Sequence, residues 1–354
     1  MNPKISVIVA VYNVEKYITQ CLDSLINQTM QDFEIILVND NSPDNSYDIL
    51  CEYRNRYPEK IVVIDSKVTL RQGGARNIGI KFSKGDYLVY IDPDDWVDVS
   101  LLEKLNKRAA ETGCDYVGCW HYNVDQISAE KNNAPLSEYT KGKEIRTGTG
   151  SLVRRNLIVE NDVFFPEHMA YEDNFFWNIL WHYINSKETV CEYLYYYRRT
   201  SGSTTKARNL QNNRDRLQIE CMILDELKKR NLDYPYSGWA MMDFVSHCFL
   251  TTVKWWIDIY NQVLPVSMLK EIAGKINERV PSFKADPVYK ALFNFRDRCA
   301  IDLLMHSPVI AWVCILLSYK WLERAPRISR IMRFLYHWIQ KGCKRIHDLS
   351  KISK

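Results

Sequence analysis

Three carboxylates lie within four residues at Asp92-Pro93-Asp94-Asp95, directly after an apolar run at residues 87–91. Several carboxylates at the end of a buried strand are unfavourable unless a positive charge is bound among them. A divalent cation that also binds a diphosphate would supply that charge, through one or two carboxylates and the phosphate oxygens. The cluster therefore predicts a metal site at Asp94 and Asp92. The alternative is an acidic start to the helix expected from residue 99.

A second polar cluster, Asn39-Asp40-Asn41-Ser42, follows the strand-like residues 33–38. A carboxylate at this position can accept a hydrogen bond from a nucleobase N–H or a ribose hydroxyl. The alternative is a turn closed by Asn and Asp side chains, and on this motif alone the turn is favoured.

Paired glycines precede an arginine in Gln72-Gly73-Gly74-Ala75-Arg76. Glycines permit close backbone approach, and an arginine beside them can pair with phosphate. The motif indicates either a phosphate contact by Arg76 or a loop that enters the helix expected at residues 75–82.

An acidic pair, Glu172-Asp173, opens the helix expected at residues 172–185. Acids in the first turn of a helix commonly stabilise its dipole, so the pair alone indicates little. It becomes informative if the reaction needs a general base, which a carboxylate can supply.

The elements that must position these clusters alternate between strands and helices. Apolar, β-branched runs predict strands at residues 5–11, 33–38, 61–64 and 87–91, and helical spacing predicts helices at 15–27, 43–57, 75–82 and 99–111. This alternation predicts an α/β fold with a mostly parallel sheet flanked by helices. Ligands of such sheets bind beyond the carboxyl ends of the strands, where the polar clusters fall.

The remainder of the chain has a different pattern. A strand at residues 115–120, a polar loop at 123–143, a helix at 151–161 and a strand at 192–198 are expected before about residue 205. From about residue 206 the apolar spacing is helical throughout. The sequence therefore predicts two domains, at residues 1–205 and 206–354.

Taken together and in this order, the four clusters resemble those of family 2 glycosyltransferases of the GT-A fold, over about residues 4–205. The resemblance implies a Rossmann-like GT-A domain with a nucleotide-binding half at 1–115 and an acceptor half at 116–205, followed by an all-helical extension. It implies an inverting, metal-dependent hexosyl- or N-acetylhexosaminyltransferase. A UDP-sugar would be the donor, and a saccharide or lipid-linked saccharide of capsule, O-antigen or exopolysaccharide assembly the acceptor.

The resemblance also implies roles for the donor-side residues. Tyr12 and Asn13 match the pair that ends the first strand of the family, and Asp40 matches its uracil-contacting acid. Arg76 matches an arginine that contacts phosphate or base. Asn41 stands where the family usually has glycine, and asparagine tolerates left-handed backbone geometry.

The remaining roles concern the metal, the base and a late basic stretch. Asp92-Pro93-Asp94 matches the DxD motif, with Asp94 as the Mn²⁺ or Mg²⁺ ligand and Asp92 on the ribose or the metal. Glu172 and Asp173 match the acidic pair that holds the catalytic base, and Asp173 is the preferred base. Arg198 and Arg199 match a stretch that closes over the diphosphate.

The C-terminal segment from Lys320 carries ten basic and two acidic residues, a net charge of +8 in a chain of net charge +4. Apolar residues recur from Ile328 to Ile346 at helical spacing, with Trp338 among them. A basic amphipathic helix of this kind is typical of an anionic membrane surface, and the alternative is a helix docked on the enzyme. No nucleic-acid partner is expected.

The expected location is cytoplasmic, and peripheral on the inner face of the plasma membrane if the tail binds lipid. The ten cysteines are scattered without CxxC pairs, as in proteins with reduced thiols, and residues 1–4 lead straight into a strand rather than a signal peptide. The longest apolar run, at residues 308–317, is shorter than the about 20 residues that cross a bilayer.

The sequence also bears on two other functional classes. A nicotinamide-dependent oxidoreductase would carry GxGxxG after the first strand, whereas residues 11–16 contain no glycine. A non-catalytic nucleotide-sugar-binding or scaffold protein of the same fold remains the alternative to an enzyme.

Overall fold

The computed structural model describes residues 2–125, 131–135, 148–199, 210–232, 237–254, 256 and 264–320. The chain divides into two compact units, Met1–Ala207 and Arg208–Lys354. The basic segment from Ile328 onward and the stretch at residues 200–205 lie outside the described residues.

Strands and helices alternate through most of the first unit. Its elements are β1 (Ile5–Val11), α1 (Ile18–Ile26), β2 (Phe33–Asn39), α2 (Ser46–Arg56), β3 (Ile61–Asp65), α3 (Arg71–Phe82), β4 (Tyr87–Tyr90), β5 (Trp96–Val97), α4 (Leu101–Thr112), β6 (Tyr116–Asp125), β7 (Lys131–Pro135), β8 (Leu152–Arg154), α5 (Arg155–Glu160), α6 (Glu172–Leu180) and β9 (Lys187–Arg199).

The strands form one sheet in the order β3-β2-β1-β4-β8-β6-β9-β5, with β7 beside β6. The first four strands of that order are parallel, as the alternation predicts. Beyond them the sheet is mixed, because β8 runs antiparallel to both β4 and β6. Since β9 is parallel to β6, the carboxyl ends of β1, β2, β4, β6 and β9 all lie at one edge.

The centre of this sheet is covered on both faces, which explains why its strands are apolar at alternate positions on either side. Every residue of β1 is buried. Val7 and Val9 belong to the core that includes apolar residues of α1 and α4, whereas Ala10 packs with Ala75 of α3. Burying each such side chain contributes about 1.5–3 kcal/mol. The helix α4 ends at Gly113, whose φ of 67° suits the left-handed cap.

Three elements differ from the sequence-based expectation. The helix α3 begins at Arg71 rather than at residue 75, so Gly73 and Gly74 lie in its first turn. Residues 152–154, expected to be helical, form β8 between β4 and β6. The stretch expected to be a polar loop includes β7, which pairs with the extended end of β6.

The described elements of the second unit are helical. They are α7 (Leu210–Lys229), α8 (Ser237–Val245), a π-helical turn (Ser246–Thr251), α9 (Val266–Arg279), a 3-10 turn (Phe283–Ala285), α10 (Pro287–Leu292), α11 (Phe295–His306) and α12 (Pro308–Lys320). They share a core of their own, with Leu224, Phe249, Leu269 and Ile301 among its buried members. In the described part of the chain, no helix combines the length and apolarity needed to span a bilayer.

Candidate active site

Asp95, in the loop after β4, is a structural acid. It is 1% exposed, and its carboxylate accepts hydrogen bonds from the Tyr195 hydroxyl at 2.6 Å and from the Arg198 backbone N–H at 2.7 Å. Burial raises the pKa of Asp95 well above its usual value, with Asp92 and Asp94 adding to the effect. Both carboxylate oxygens are thus occupied, so Asp95 ties the loop to β9.

Asp94 is the acid of this loop whose charge is least compensated. Within the described residues, no other residue donates a hydrogen bond to its carboxylate and no cation pairs with it. Burial and the neighbouring Asp92 raise the pKa of Asp94 to about 6. A bound cation would remove this cost, so Asp94 has the chemistry of a metal ligand.

Few acids are available to hold a metal here. In the ranges that the structure describes, no three or more His, Cys, Asp or Glu side chains converge as a metal cluster. Protein ligation would therefore rest on Asp94, with Asp92 as second ligand, and the other positions would fall to phosphate oxygens or water. Mg²⁺ sites that serve diphosphates commonly have this composition.

Arg76 of α3 joins Asp92 to the start of α6. Its guanidinium donates to Asp92 Oδ1 at 2.9 Å and to Glu172 Oε1 at 3.0 Å, and its side chain is 8% exposed. Gln72, one turn earlier, donates to the same Asp92 oxygen at 3.0 Å. These bonds bury the guanidinium between two carboxylates, and the contact of Arg76 with phosphate or base that the family resemblance implies stays a prediction.

The acidic pair at the start of α6 divides into a buried and an exposed member. Glu172 is 5% exposed, and burial raises its pKa to about 7 against the opposing effect of Arg76. Asp173 is exposed and, among the described residues, forms no hydrogen bond or ion pair. Asp173 is therefore the member whose carboxylate is available to a bound molecule.

The turns that follow β1 and β2 contain residues with positive φ and are held by hydrogen bonds. Tyr12 is 49% exposed, and Asn13, with φ of 54°, donates its backbone N–H to Ser42 Oγ at 3.3 Å. Asn41 has φ of 58°, so asparagine does adopt the left-handed conformation here. Asp40 is buried, and its Oδ1 accepts the Leu70 N–H at 2.7 Å, which fixes the loop that leads into α3.

Arg198, near the end of β9, reaches the same loop as Asp94. Its Nε donates to the Asp94 carbonyl oxygen at 2.7 Å, and its guanidinium lies over Trp96 and Tyr17, at 4.5 and 5.1 Å from the ring centroids. The structure therefore places a cation beside the candidate metal site. The side chain of Arg199 lies outside the described residues.

The close approach permitted by the paired glycines is to protein atoms. A Cβ on Gly73 would overlap the Pro166 carbonyl oxygen and lie 2.9 Å from Glu172 Cγ, and one on Gly74 would overlap Leu70. The sequence pattern predicts neither the contact of Gly73 with Pro166 and Glu172 nor the bond from Tyr195 to Asp95, because the partners are far apart in the chain. The Tyr195–Asp95 pair is separated by 100 residues.

Comparisons with known proteins agree with the geometry at the level of family. Residues 6–180 match Glycosyl transferase family 2. A poly(ribitol-phosphate) beta-glucosyltransferase of Bacillus spizizenii is 35% identical over 205 residues, which cover 55% of this chain and 32% of that protein. The uncharacterized glycosyltransferase EpsJ of Bacillus subtilis is 33% identical over 188 residues, covering 53% and 49%. The chain thus spans about a third to a half of the length of these curated relatives.

Among solved structures, S. aureus TarS 1–349 in complex with UDP-GlcNAc is similar over 90% of this chain and 91% of its own. The TM-score is 0.70 and the sequence identity 20%, a level at which the likeness concerns the fold. It confirms the expected fold class, a GT-A sheet flanked by helices with a helical C-terminal region.

Proposed function

Residues 6–180 make the chain a member of glycosyl transferase family 2, and from this membership we propose that it transfers a sugar from a UDP-sugar to a hydroxyl of a saccharide acceptor, with inversion at the anomeric carbon. The observation that carries the proposal is that Arg76 bonds both Asp92, in the loop that carries Asp94, and Glu172, the neighbour of the exposed Asp173. A candidate cation ligand and a candidate general base therefore lie on elements that one side chain connects.

We assign the donor to the edge formed by β1, β2 and β4. The exposed ring of Tyr12, with Asn13 and Asp40 at the neighbouring strand ends, would receive the uridine. Arg198, fixed beside Asp94, would face the diphosphate, and Arg199 would follow it by family resemblance. The TarS structure with UDP-GlcNAc supports a UDP-sugar, since it shares this fold.

A divalent cation, Mn²⁺ or Mg²⁺, fits the residues present. Asp94 would hold it, with Asp92 contributing the oxygen that Arg76 and Gln72 leave free. Such a cation neutralises the charge that develops on the leaving diphosphate. The donor set of one or two carboxylates is sufficient because the diphosphate supplies further oxygens.

The chemical step needs a base and an aligned acceptor. The acceptor hydroxyl oxygen attacks the anomeric carbon, the bond from that carbon to the diphosphate oxygen breaks, and Asp173 receives the hydroxyl proton. Glu172 is committed to Arg76, so its role is to hold the first turn of α6 rather than to take the proton.

The acceptor and the location are proposed from the name of a relative and from the basic C-terminal segment. The B. spizizenii relative is named for glucosylation of poly(ribitol-phosphate). By this name and the family resemblance, a surface polysaccharide or its lipid-linked precursor is the acceptor class we propose. The basic C-terminal segment would then hold the enzyme at the cytoplasmic face of the membrane, where a lipid-linked acceptor is presented.

Replacing the base tests the proposal. In a screen of UDP-sugars with Mn²⁺, the wild-type protein should turn over at least one donor, and a chelator should stop the reaction. Asp173→Asn should lower kcat by about 10²–10⁴-fold, because the acceptor proton loses its base, with UDP affinity unchanged. The measurement is UDP release, with isothermal titration of UDP.

Asp48→Asn is the matched control, because Asp48 is likewise an exposed acid in the first turn of a helix, α2. It should retain full activity. Near-wild-type activity of Asp173→Asn would refute the base assignment. Tight UDP binding without turnover of any donor would favour the alternative of a non-catalytic nucleotide-sugar-binding protein.

A further inference from the structure

The segment that leads to α6 packs against one face of α3. Gly73, Arg76 and Asn77 occupy positions i, i+3 and i+4 of the helix and so share a face. Each of the three contacts the chain between Phe165 and Glu172. This face therefore fixes where α6, and with it Asp173, begins.

Asn77 holds the start of that segment through two hydrogen bonds. Its Nδ2 donates to the Phe165 carbonyl at 2.8 Å, and the Phe165 N–H donates to its Oδ1 at 2.9 Å, so the side chain pairs with the backbone as a strand would. The His168 N–H donates to the Leu70 carbonyl at 3.0 Å. Phe165 in turn lies beneath Arg76, with its ring centroid 5.3 Å from the guanidinium carbon.

Gly73 brings the two backbones into contact. Because it has no side chain, the Pro166 carbonyl and the Glu172 side chain approach the helix more closely than any other residue type would allow. The bond between Arg76 and Glu172 is thus made at a fixed separation, not between two mobile surface groups.

Arg76 has its second partner on the donor side. The guanidinium bonds Asp92, in the loop that also carries Asp94, and Gln72 of the same helix bonds the same carboxylate oxygen. The buried, positively charged guanidinium of Arg76 therefore lies between the loop of the candidate metal site and the helix of the candidate base. Removing it would leave two half-buried or buried carboxylates facing each other without a counter-charge.

We infer that Arg76 is a positioning residue that locks the first turn of α6, and therefore Asp173, to the loop after β4 that carries Asp92 and Asp94. The inference rests on the proposed function for its catalytic consequence, but the lock itself is a structural claim. It differs from a direct phosphate contact by Arg76 in what its loss would change.

The test compares Arg76→Met with Arg154→Met. Arg154 is a matched control outside the site, since it too pairs with an acid, Asp115 at 3.1 Å, and lies over an aromatic ring, that of Tyr87. For Arg76→Met we expect faster hydrogen–deuterium exchange in residues 172–177, a fall in kcat of about 10²-fold from misplacement of the base, and an unchanged Kd for UDP. Arg154→Met should change none of the three.

Two further variants guard against a merely unfolded protein. Arg76→Lys keeps the charge but cannot bond both carboxylates in the same geometry, so it should fold and still lose kcat. The double variant Arg76→Met/Glu172→Leu should have a kcat no lower than that of Arg76→Met, because both changes break one link.

The outcomes separate the competing explanations. A weaker Kd for UDP with unchanged exchange in α6 would make Arg76 a phosphate ligand and overturn the inference. So would additive losses in the double variant. If the wild-type protein turned over no UDP-sugar, the proposed function would fail, yet the exchange of residues 172–177 would still decide whether Arg76 forms the lock.

Discussion

The three acids after β4 lie within four residues of one another and have different surroundings. Asp95 is enclosed by donors from β9, and Asp92 is paired with Arg76. Among the described residues the Asp94 carboxylate has no ion pair and no hydrogen bond from another residue, and the charge of Arg198 offsets its raised pKa only in part. Their differences come from neighbours far away in the sequence. Substituting the same amide at two of these positions should therefore have different effects on stability.

Asp95→Asn should lower the free energy of unfolding by roughly 1–3 kcal/mol, because an amide nitrogen would face the Tyr195 or Arg198 donor in a buried site. Asp94→Asn should leave it unchanged or raise it, since a like charge is removed from beside Asp92. Urea denaturation of the metal-free protein at pH 7 measures both. In addition, Asp94→Asn should lose the gain in UDP affinity that Mn²⁺ gives.

Equal destabilisation by the two substitutions would contradict this division of roles. A metal effect that survives in Asp94→Asn but not in Asp92→Asn would move the primary ligand to Asp92.

The sequence predicts where these acids lie but not what each does. A carboxylate cluster after a buried strand indicates the edge of the sheet, because the strand pattern is local and the edge follows from topology. The partners of Asp95 and Glu172 come from 100 and 96 residues away, and no spacing rule connects them. For the same reason the motif around Arg76, which predicts a phosphate contact or a loop that enters the helix, gives no sign of its bonds to Asp92 and Glu172.

At the scale of elements, α3 begins earlier and makes more tertiary contacts than its sequence predicts. Glycines in a first turn weaken the helix, so the pattern predicts a later start, at residue 75. In the structure, however, α3 begins at Arg71. Its first turn packs closely against Pro166, Glu172 and Leu70, and this packing needs glycine at positions 73 and 74. Tertiary packing has overridden local propensity.

Alanine at Gly73 should therefore destabilise the protein, although alanine is the better helix former. We expect a loss of about 1–3 kcal/mol from overpacking against Pro166 and Glu172. Gly274→Ala in α9 is the matched control, because nothing lies within 4 Å of its added Cβ, and it should stabilise by about 0.5–1 kcal/mol. Chemical denaturation of both variants tests this, and a Gly73→Ala protein as stable as wild type would contradict it.

Strands with long apolar runs are the elements that sequence reasoning predicts well. β1 and β2 are buried on both faces, so their positions other than Glu34 and Asn39 are apolar or small and the pattern is clear. β8 is only three residues long and passes directly into α5 at Arg155, so the sequence pattern predicts one helix over residues 151–161. Its pairing with β4 and β6, not its composition, makes it a strand.

At the scale of the whole molecule, buried titratable groups act on stability in opposite directions. The raised pKa values of Asp94, about 6, and Glu172, about 7, mean that the folded state holds these protons more tightly, so both groups favour folding at low pH. His121 acts in the other direction. Burial lowers its pKa to about 4, with a bond to the Thr149 carbonyl opposing, so acid favours the unfolded state, where it is protonated more readily.

The contribution of His121 is present above its unfolded pKa of 6.5 and is lost as the pH falls toward about 4. Between pH 7.5 and pH 5, the wild-type protein should lose about 2 kcal/mol more unfolding free energy than His121→Gln, which keeps a donor for Thr149. Urea denaturation of the two proteins across this range measures the difference. Parallel pH profiles would show that His121 titrates normally.

The position of α3 constrains how this chain can be recombined with its relatives. Any crossover between residues 83 and 164 separates α3 from the segment that ends at Glu172. A hybrid made there inherits Gly73, Arg76 and Asn77 from one parent and their contacts at Phe165, Pro166 and Glu172 from the other. Gene shuffling aimed at new acceptors would therefore yield folded, active hybrids mainly from parents that have the same residues both in α3 and in the segment from Phe165 to Glu172.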